Sequence, residues 1–209
     1  GHACILQYAA LHLAGYDVTL DDLRSFRQWG SRTPGHPEWG HTPGVETTTG
    51  PLGQGISTAI GMAIADRFLA ERYNRPLHTI VDRWVFTIAS DGDLMEGVSQ
   101  ESASIAGQLS LGRIVAFYDD NRITIDGSTA ISFDAEDKGA RYEAYGWHVQ
   151  HVASVEDLDA LDAAIEAAKA ETAKPSLIVV RSTIAHPAPK ASGTWKAHGA
   201  PLGKDEVAA

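Results

Sequence analysis

The sequence predicts an α/β domain on a mainly parallel sheet with helices on both faces, and three observations carry that expectation. Apolar runs rich in strand formers recur at Trp84–Ala89, Ile114–Tyr118 and Leu177–Val180. Segments of helical spacing lie around and between them. The first two runs end in chemistry-bearing turn residues, Ser90-Asp91-Gly92-Asp93 and Asp119-Asp120-Asn121, where open α/β sheets place their ligands.

Taken in order, Ile5, Leu6, Ala9, Ala10 and Leu13 fall at helical spacing, so 3–14 reads as an amphipathic helix closed by Gly15. Thr19 and Asp22 form a capping-box pattern for a short helix near 20–28. The stretch from Trp29 to Gly50 is irregular and rich in proline and glycine, and a loop of that length in a compact domain is usually functional or disordered. It carries His36, stiffened by Pro34 and Pro37. A loop histidine is as a rule a surface group, but a stiff loop suits a positioned one.

Gly50-Pro51-Leu52-Gly53-Gln54-Gly55 leads into a predicted helix over 56–72 that is crowded with small residues. Such a face admits either a close cofactor or a tightly packed helix. The glycine run is no dinucleotide fingerprint, because no strand leads into it. Beyond the Asp-Gly turn, Val98–Leu109 reads as a helix, and Arg122–Thr129 as extended chain turning at Asp126-Gly127. Asp134–Tyr145 reads as a polar helix, Trp147–Val152 as a strand, and Ser154 with Asp157 as the cap of a helix to about Thr172. No second core and no internal repeat are expected. Residues 1–183 form the α/β body; 184–209 is an irregular segment of the same domain that carries His198.

Composition sets limits. With 209 residues, 44% of them hydrophobic, the chain can bury a core as one domain. A formal net charge of −10 argues against a nucleic-acid partner and against attraction to an anionic membrane surface. A bound anion would then need a local remedy: a metal, histidines or a helix N-terminus. The single cysteine, Cys4, has no internal disulfide partner, fits a reducing, cytoplasmic setting, and reads as a small buried hydrophobe. No stretch approaches the ~18 apolar residues of a membrane span, and no signal-peptide pattern opens the sequence. Gly1-His2-Ala3 is not an initiator sequence, so the chain reads as a piece of something longer.

If the first two strands are neighbours, Asp91 and Asn121 converge from adjacent strand ends. A carboxylate and an amide oxygen suit Mg²⁺ or Ca²⁺, and Mg²⁺ keeps other positions for water and phosphate. The same residues are also what ordinary turns use.

Gly1-His2-Ala3, Thr33–Glu38, Gly50–Gly55, Asp91–Gly97, Asp119–Gly127, Arg141–Trp147 and His198–Leu202 stand in an order that resembles the diphosphate-binding half of the transketolases. The match runs nearly end to end. It implies the thiamine diphosphate-binding fold, thiamine diphosphate as cofactor and transfer of a two-carbon ketol unit between sugar phosphates. It assigns Asp91, Asn121 and the carbonyl of Ile123 to a divalent metal, Mg²⁺ or another such as Ca²⁺, that bridges the two phosphates. It gives Gly92 backbone contact with the diphosphate, and His2 and His198 side-chain contact. Gly50, Pro51 and Leu52 would line the thiamine pocket. His36 would reach substrate hydroxyls and, with His198, serve catalysis; Glu96 and Glu101 would face the partner of a homodimer.

Two departures accompany the resemblance. Ser90 stands where many relatives have glycine, which is tolerable if the position needs no positive φ. The segment preceding the Gly-His-Ala motif is absent, as is the pyrimidine-binding domain whose glutamate activates the cofactor, so these 209 residues alone are expected to be inactive. A non-catalytic module awaiting a separate chain, or a relative such as dihydroxyacetone synthase, are the alternatives the sequence leaves open.

Overall fold

The computed structural model describes residues 1–209. Its centre is a four-stranded sheet in the order β1-β2-β6-β5, with β1 Val85–Ser90, β2 Ile114–Asp120, β5 His148–Val152 and β6 Ser176–Arg181. Every pairing is parallel. A parallel sheet needs cover on both faces, and it has it. On one face Ile56, Ile60 and Ala63 of α3 (Gln54–Tyr73), Ala103 and Ala106 of α5 (Gly97–Gln108) and Tyr142 of α6 (Lys138–Ala144) close over Ala116, Tyr118 and Leu177. On the other, Ala164 and Ala168 of α7 (Leu158–Ala170) pack on Val115, Val152, Ile178 and Val180. That cover thins over the edge strand β1, where Phe86 and Ile88 remain half exposed.

The helix α1 (Cys4–Leu13) forms, with Gly15 at a φ of 83° behind it, but it turns a different face inward than the periodicity predicts: Cys4 and Tyr8 are buried, while Ile5, Leu6 and Leu13 stay exposed. Thr19 and Asp22 cap α2 (Leu20–Arg24) reciprocally, but that helix stops well short of residue 28. Arg27 takes a left-handed φ of 61° and turns its N–H onto the Thr33 carbonyl, which ends the helical ladder. A small third cluster, Cys4, Tyr8 and Val45, joins α1 to the long loop, so the single core expected from the sequence has a satellite. The loop is tied down as well: Tyr8 Oη donates to the Pro34 carbonyl at 3.0 Å and Cys4 Sγ to the Gly35 carbonyl at 3.0 Å.

Other boundaries moved for local reasons. The helix α6 begins at Lys138, capped by Asp137, because Asp134 accepts from Thr129 Oγ1 instead of starting a helix. Asp157 alone caps α7, while Ser154 Oγ accepts from the Glu156 N–H in the preceding turn. After β2 the chain makes a two-stranded antiparallel pair, β3 Ile123–Thr124 and β4 Gly127–Ser128, around the Asp126-Gly127 turn. The tail is not wholly irregular: a 3₁₀ turn at Trp195–Ala197 precedes His198, and α8 spans Lys204–Ala208. No helix is long and apolar enough to cross a membrane.

Candidate cofactor and metal site

The strands β1 and β2 are neighbours, and Ser90 lies opposite Asp119 in the register, so the two motif turns leave the same end of the sheet side by side. No loop separates strand from helix at the first: Asp91 opens the short helix α4 (Asp91–Met95) directly. Ser90 is extended, with φ −113°, so a side chain there costs no backbone strain.

Asp91 is not the exposed turn residue its Asp-Gly context suggests. It is 1% exposed. Tyr118 Oη donates to its Oδ1 at 2.5 Å and the Arg122 N–H to its Oδ2 at 2.9 Å. Burial holds its carboxyl above the ordinary aspartate pKa, and these two donors work against that rise. The Arg122 N–H reaches it because Arg122 adopts a left-handed φ of 60°, uncommon for a residue other than glycine. Asn121 sits just before that turn; its Oδ1 accepts from the Ile123 N–H and its Nδ2 donates to Asp119 Oδ2, both at 2.9 Å.

This donor set fits a divalent cation that shares its shell with a phosphorylated ligand. No group of three or more His, Cys, Asp or Glu side chains is placed to hold a metal ion by itself. One carboxylate and one amide oxygen are hard ligands that would leave other positions to phosphate and water, the habit of Mg²⁺. A cation there would also offset the desolvation of Asp91.

Asp93, part of the Asp-Gly turn but given no role by the sequence, joins that turn to the glycine loop. Its Oδ2 accepts from Ser90 N–H and Oγ, and its Oδ1 from the Gly53 N–H at 3.0 Å. The Ser-x-x-Asp spacing was the available signal, being that of a helix cap. Leu52 lies over Gly92, where an added Cβ would stand 3.2 Å from a Leu52 methyl. Gly53 has φ 77°, and a Cβ there would come within 2.9 Å of Glu96 Cβ, Val98 Cγ1 and Ser99 Oγ. A left-handed non-glycine residue costs about 1–2 kcal/mol before any clash. Gly53→Ala is therefore expected to lower the urea midpoint of unfolding and to loosen the glycine loop; an unchanged midpoint would contradict this packing.

The histidines lie far apart in sequence and come together here. The His2 ring centroid is 5.5 Å from that of His36 and 5.4 Å from that of His198. Gly50 lies against His36, with an added Cβ 3.2 Å from its ring. Arg27 donates to the Gly199 carbonyl at 3.0 Å and so anchors the tail that carries His198. Desolvation, and then the charge of His198, hold the His2 imidazole below the usual histidine value. A bound polyanion would oppose that shift by stabilising the protonated His2 ring. A cleft of about 670 Å³ opens between the tail and β3, lined by Ile123, Trp195, Ala197 and Leu202 among others, and none of the three histidines lines it. Glu96 and Glu101 are both exposed. Pro51 is exposed beside Leu52.

Fold and site together define a parallel α/β domain built to hold a phosphorylated cofactor at its strand ends. The family model described as "Transketolase, thiamine diphosphate binding domain" matches residues 1–209, and the chain belongs to that family. The transketolase of Halalkalibacterium halodurans is 56% identical over 207 residues, 99% of this chain and 31% of that protein. A solved transketolase from Leishmania mexicana superposes with a TM-score of 0.96 at 52% identity, covering 100% of this chain and 31% of its own. Transketolase from Pichia stipitis in complex with sedoheptulose 7-phosphate gives a TM-score of 0.96 at 50% identity, over 99% of this chain and 30% of its own. The chain thus spans about a third of the length of the relatives it matches.

Proposed function

We propose that these residues form the diphosphate and metal side of a transketolase, which moves a two-carbon ketol unit from a ketose phosphate to an aldose phosphate. The observation that carries the reading is the placement of Asp91 and Asn121 on adjacent parallel strand ends, linked through Asp93 and the glycine loop to the His2, His36 and His198 group. Asp91, Asn121 and the Ile123 carbonyl would hold Mg²⁺, or another divalent ion such as Ca²⁺. His2, His198 and the Gly92 backbone would take the diphosphate, and Gly50, Pro51 and Leu52 the thiamine.

When bound, thiamine diphosphate supplies the nucleophilic carbon on which a ketose is cleaved. The chain's own part is binding, orientation and proton handling. His36 and His198 are suited to hold or pass protons at substrate hydroxyls, since a neutral imidazole carries both a donor and an acceptor nitrogen. A homodimer in the cytoplasm completes the reading, with Glu96 and Glu101 available to the partner. The full-length protein, given thiamine diphosphate, Mg²⁺, a ketose phosphate donor and an aldose phosphate acceptor, should form the chain-extended ketose. No product in the presence of bound cofactor would overturn the assignment. The 209 residues tested alone should give none, because the resemblance puts the activating glutamate outside them.

His36→Ala is expected to weaken use of the donor while cofactor affinity stays nearly unchanged. A neutral hydrogen bond to a substrate hydroxyl is worth roughly 0.5–1.5 kcal/mol net, and more in a desolvated, preorganised site. Equal damage to cofactor binding and to turnover would place His36 with the diphosphate.

A further inference from the structure

An asparagine amide has two unlike ends, and which end faces a ligand depends on what holds the other. Around Asn121 both neighbours are unambiguous. An ionised Asp119 can only accept, so it selects the NH₂ end, 2.9 Å from its Oδ2. The Ile123 N–H can only donate, so it selects the oxygen, also at 2.9 Å. Asp119 is itself fixed. Its Oδ1 accepts from Ser182 Oγ, and the end of β2 is pinned to the chain after β6 by Arg181 Nη1 donating to the Asp120 carbonyl at 2.7 Å. Nothing in the turn chemistry of Asp-Asp-Asn requires this arrangement; it arises because Ser182 follows β6 beside β2.

We propose that Asp119 is a positioning residue of the metal site: by holding the NH₂ end of Asn121, it keeps the Asn121 oxygen turned toward the cation. This rests on the reading of Asn121 as a metal ligand. A carbonyl oxygen has two lone pairs, so the Ile123 N–H leaves one for the metal. Without Asp119 the Ile123 N–H alone would restrain the amide, and rotations that present its NH₂ group, which no cation accepts, would be less strongly opposed.

The test is Mg²⁺ titration calorimetry on the full-length protein with thiamine diphosphate present, alongside thermal unfolding without metal. Asp119→Leu should weaken Mg²⁺ binding by about 10–100-fold, the range for outer-shell partners of a metal site. Asp119→Asn should recover most of that loss, since its amide oxygen can still accept from Asn121 and its NH₂ can donate to Ser182. Asn121→Asp alone should bind Mg²⁺ poorly, with two carboxylates facing each other. The exchanged pair, Asp119→Asn with Asn121→Asp, restores a donor opposite an acceptor and should regain affinity. Equal losses in Asp119→Leu and Asp119→Asn would mean that Asp119 acts only through its charge, and the proposal falls. A lowered melting temperature in Asp119→Leu with unchanged Mg²⁺ affinity would make its role structural, and the proposal falls again. If Asn121→Ala binds Mg²⁺ as the parent does, the ligand reading itself is wrong, a result separate from the others.

Discussion

Asp91→Asn and Asn121→Ala should each abolish metal-dependent cofactor binding in the full-length protein, with a loss beyond the ~10–100-fold typical of outer-shell partners. Asn is the better replacement at 91 because Asp91 is buried and holds two donors, Tyr118 Oη and the Arg122 N–H. Alanine would leave both unpaired, at about 1–3 kcal/mol for each buried orphan, and would confound lost ligation with lost fold. The amide can keep at least one of those hydrogen bonds while removing the charge that a divalent ion needs. Asn121 is only partly buried, so alanine there removes a ligand with less structural cost. Calorimetry with thiamine diphosphate, with and without Mg²⁺, reads the effect. Parent-like affinity in either variant would dismiss the pair as a metal site.

The sheet was legible because its strands are continuous apolar runs. Ile114–Tyr118 and Leu177–Val180 are buried almost throughout, and their shortness and strand-forming residues favour a buried parallel strand. Local caps were equally readable, as Thr19 with Asp22 illustrates. What escaped are bonds between residues distant in the chain. Tyr118 on Asp91, Asp93 on Gly53 and Ser182 on Asp119 have no local signature, because each follows from which strands and loops become neighbours. The burial of Asp91 escaped for the same reason: nothing in Asp-Gly shows that a tyrosine from the next strand covers it. The grouping of His2, His36 and His198 came through the resemblance, since spacing alone gives no cause to join three loops.

Two glycine substitutions in helices should have opposite signs, and magnitudes decide which effect wins at each. Replacing glycine by alanine inside a helix gains at most about 1 kcal/mol from backbone entropy. Gly61, in the middle of α3, is exposed and an added Cβ would meet nothing within 4 Å, so Gly61→Ala should collect that gain. A chain of this size would melt roughly 2–4 °C higher for it. At Gly107, near the end of α5, an added Cβ would stand 1.7 Å from the Tyr145 carbonyl oxygen. Backbone cannot swing aside as a side chain does, so α5 must part from the turn after α6. That turn seats Tyr142 and Trp147 in the main core, and Trp147 Nε1 donates to the Ala103 carbonyl at 2.9 Å across the same contact. Overpacking costs about 1–3 kcal/mol or more, and losing the indole hydrogen bond adds about 1. The helix-propensity gain is too small to compensate, so Gly107→Ala should lower the melting temperature by roughly 2–12 °C. Thermal unfolding followed by circular dichroism on both variants reads the pair. A Gly107→Ala chain as stable as its parent would show that α5 does not press on the Tyr145 carbonyl, and the close seam between α5 and α6 would have to be redrawn.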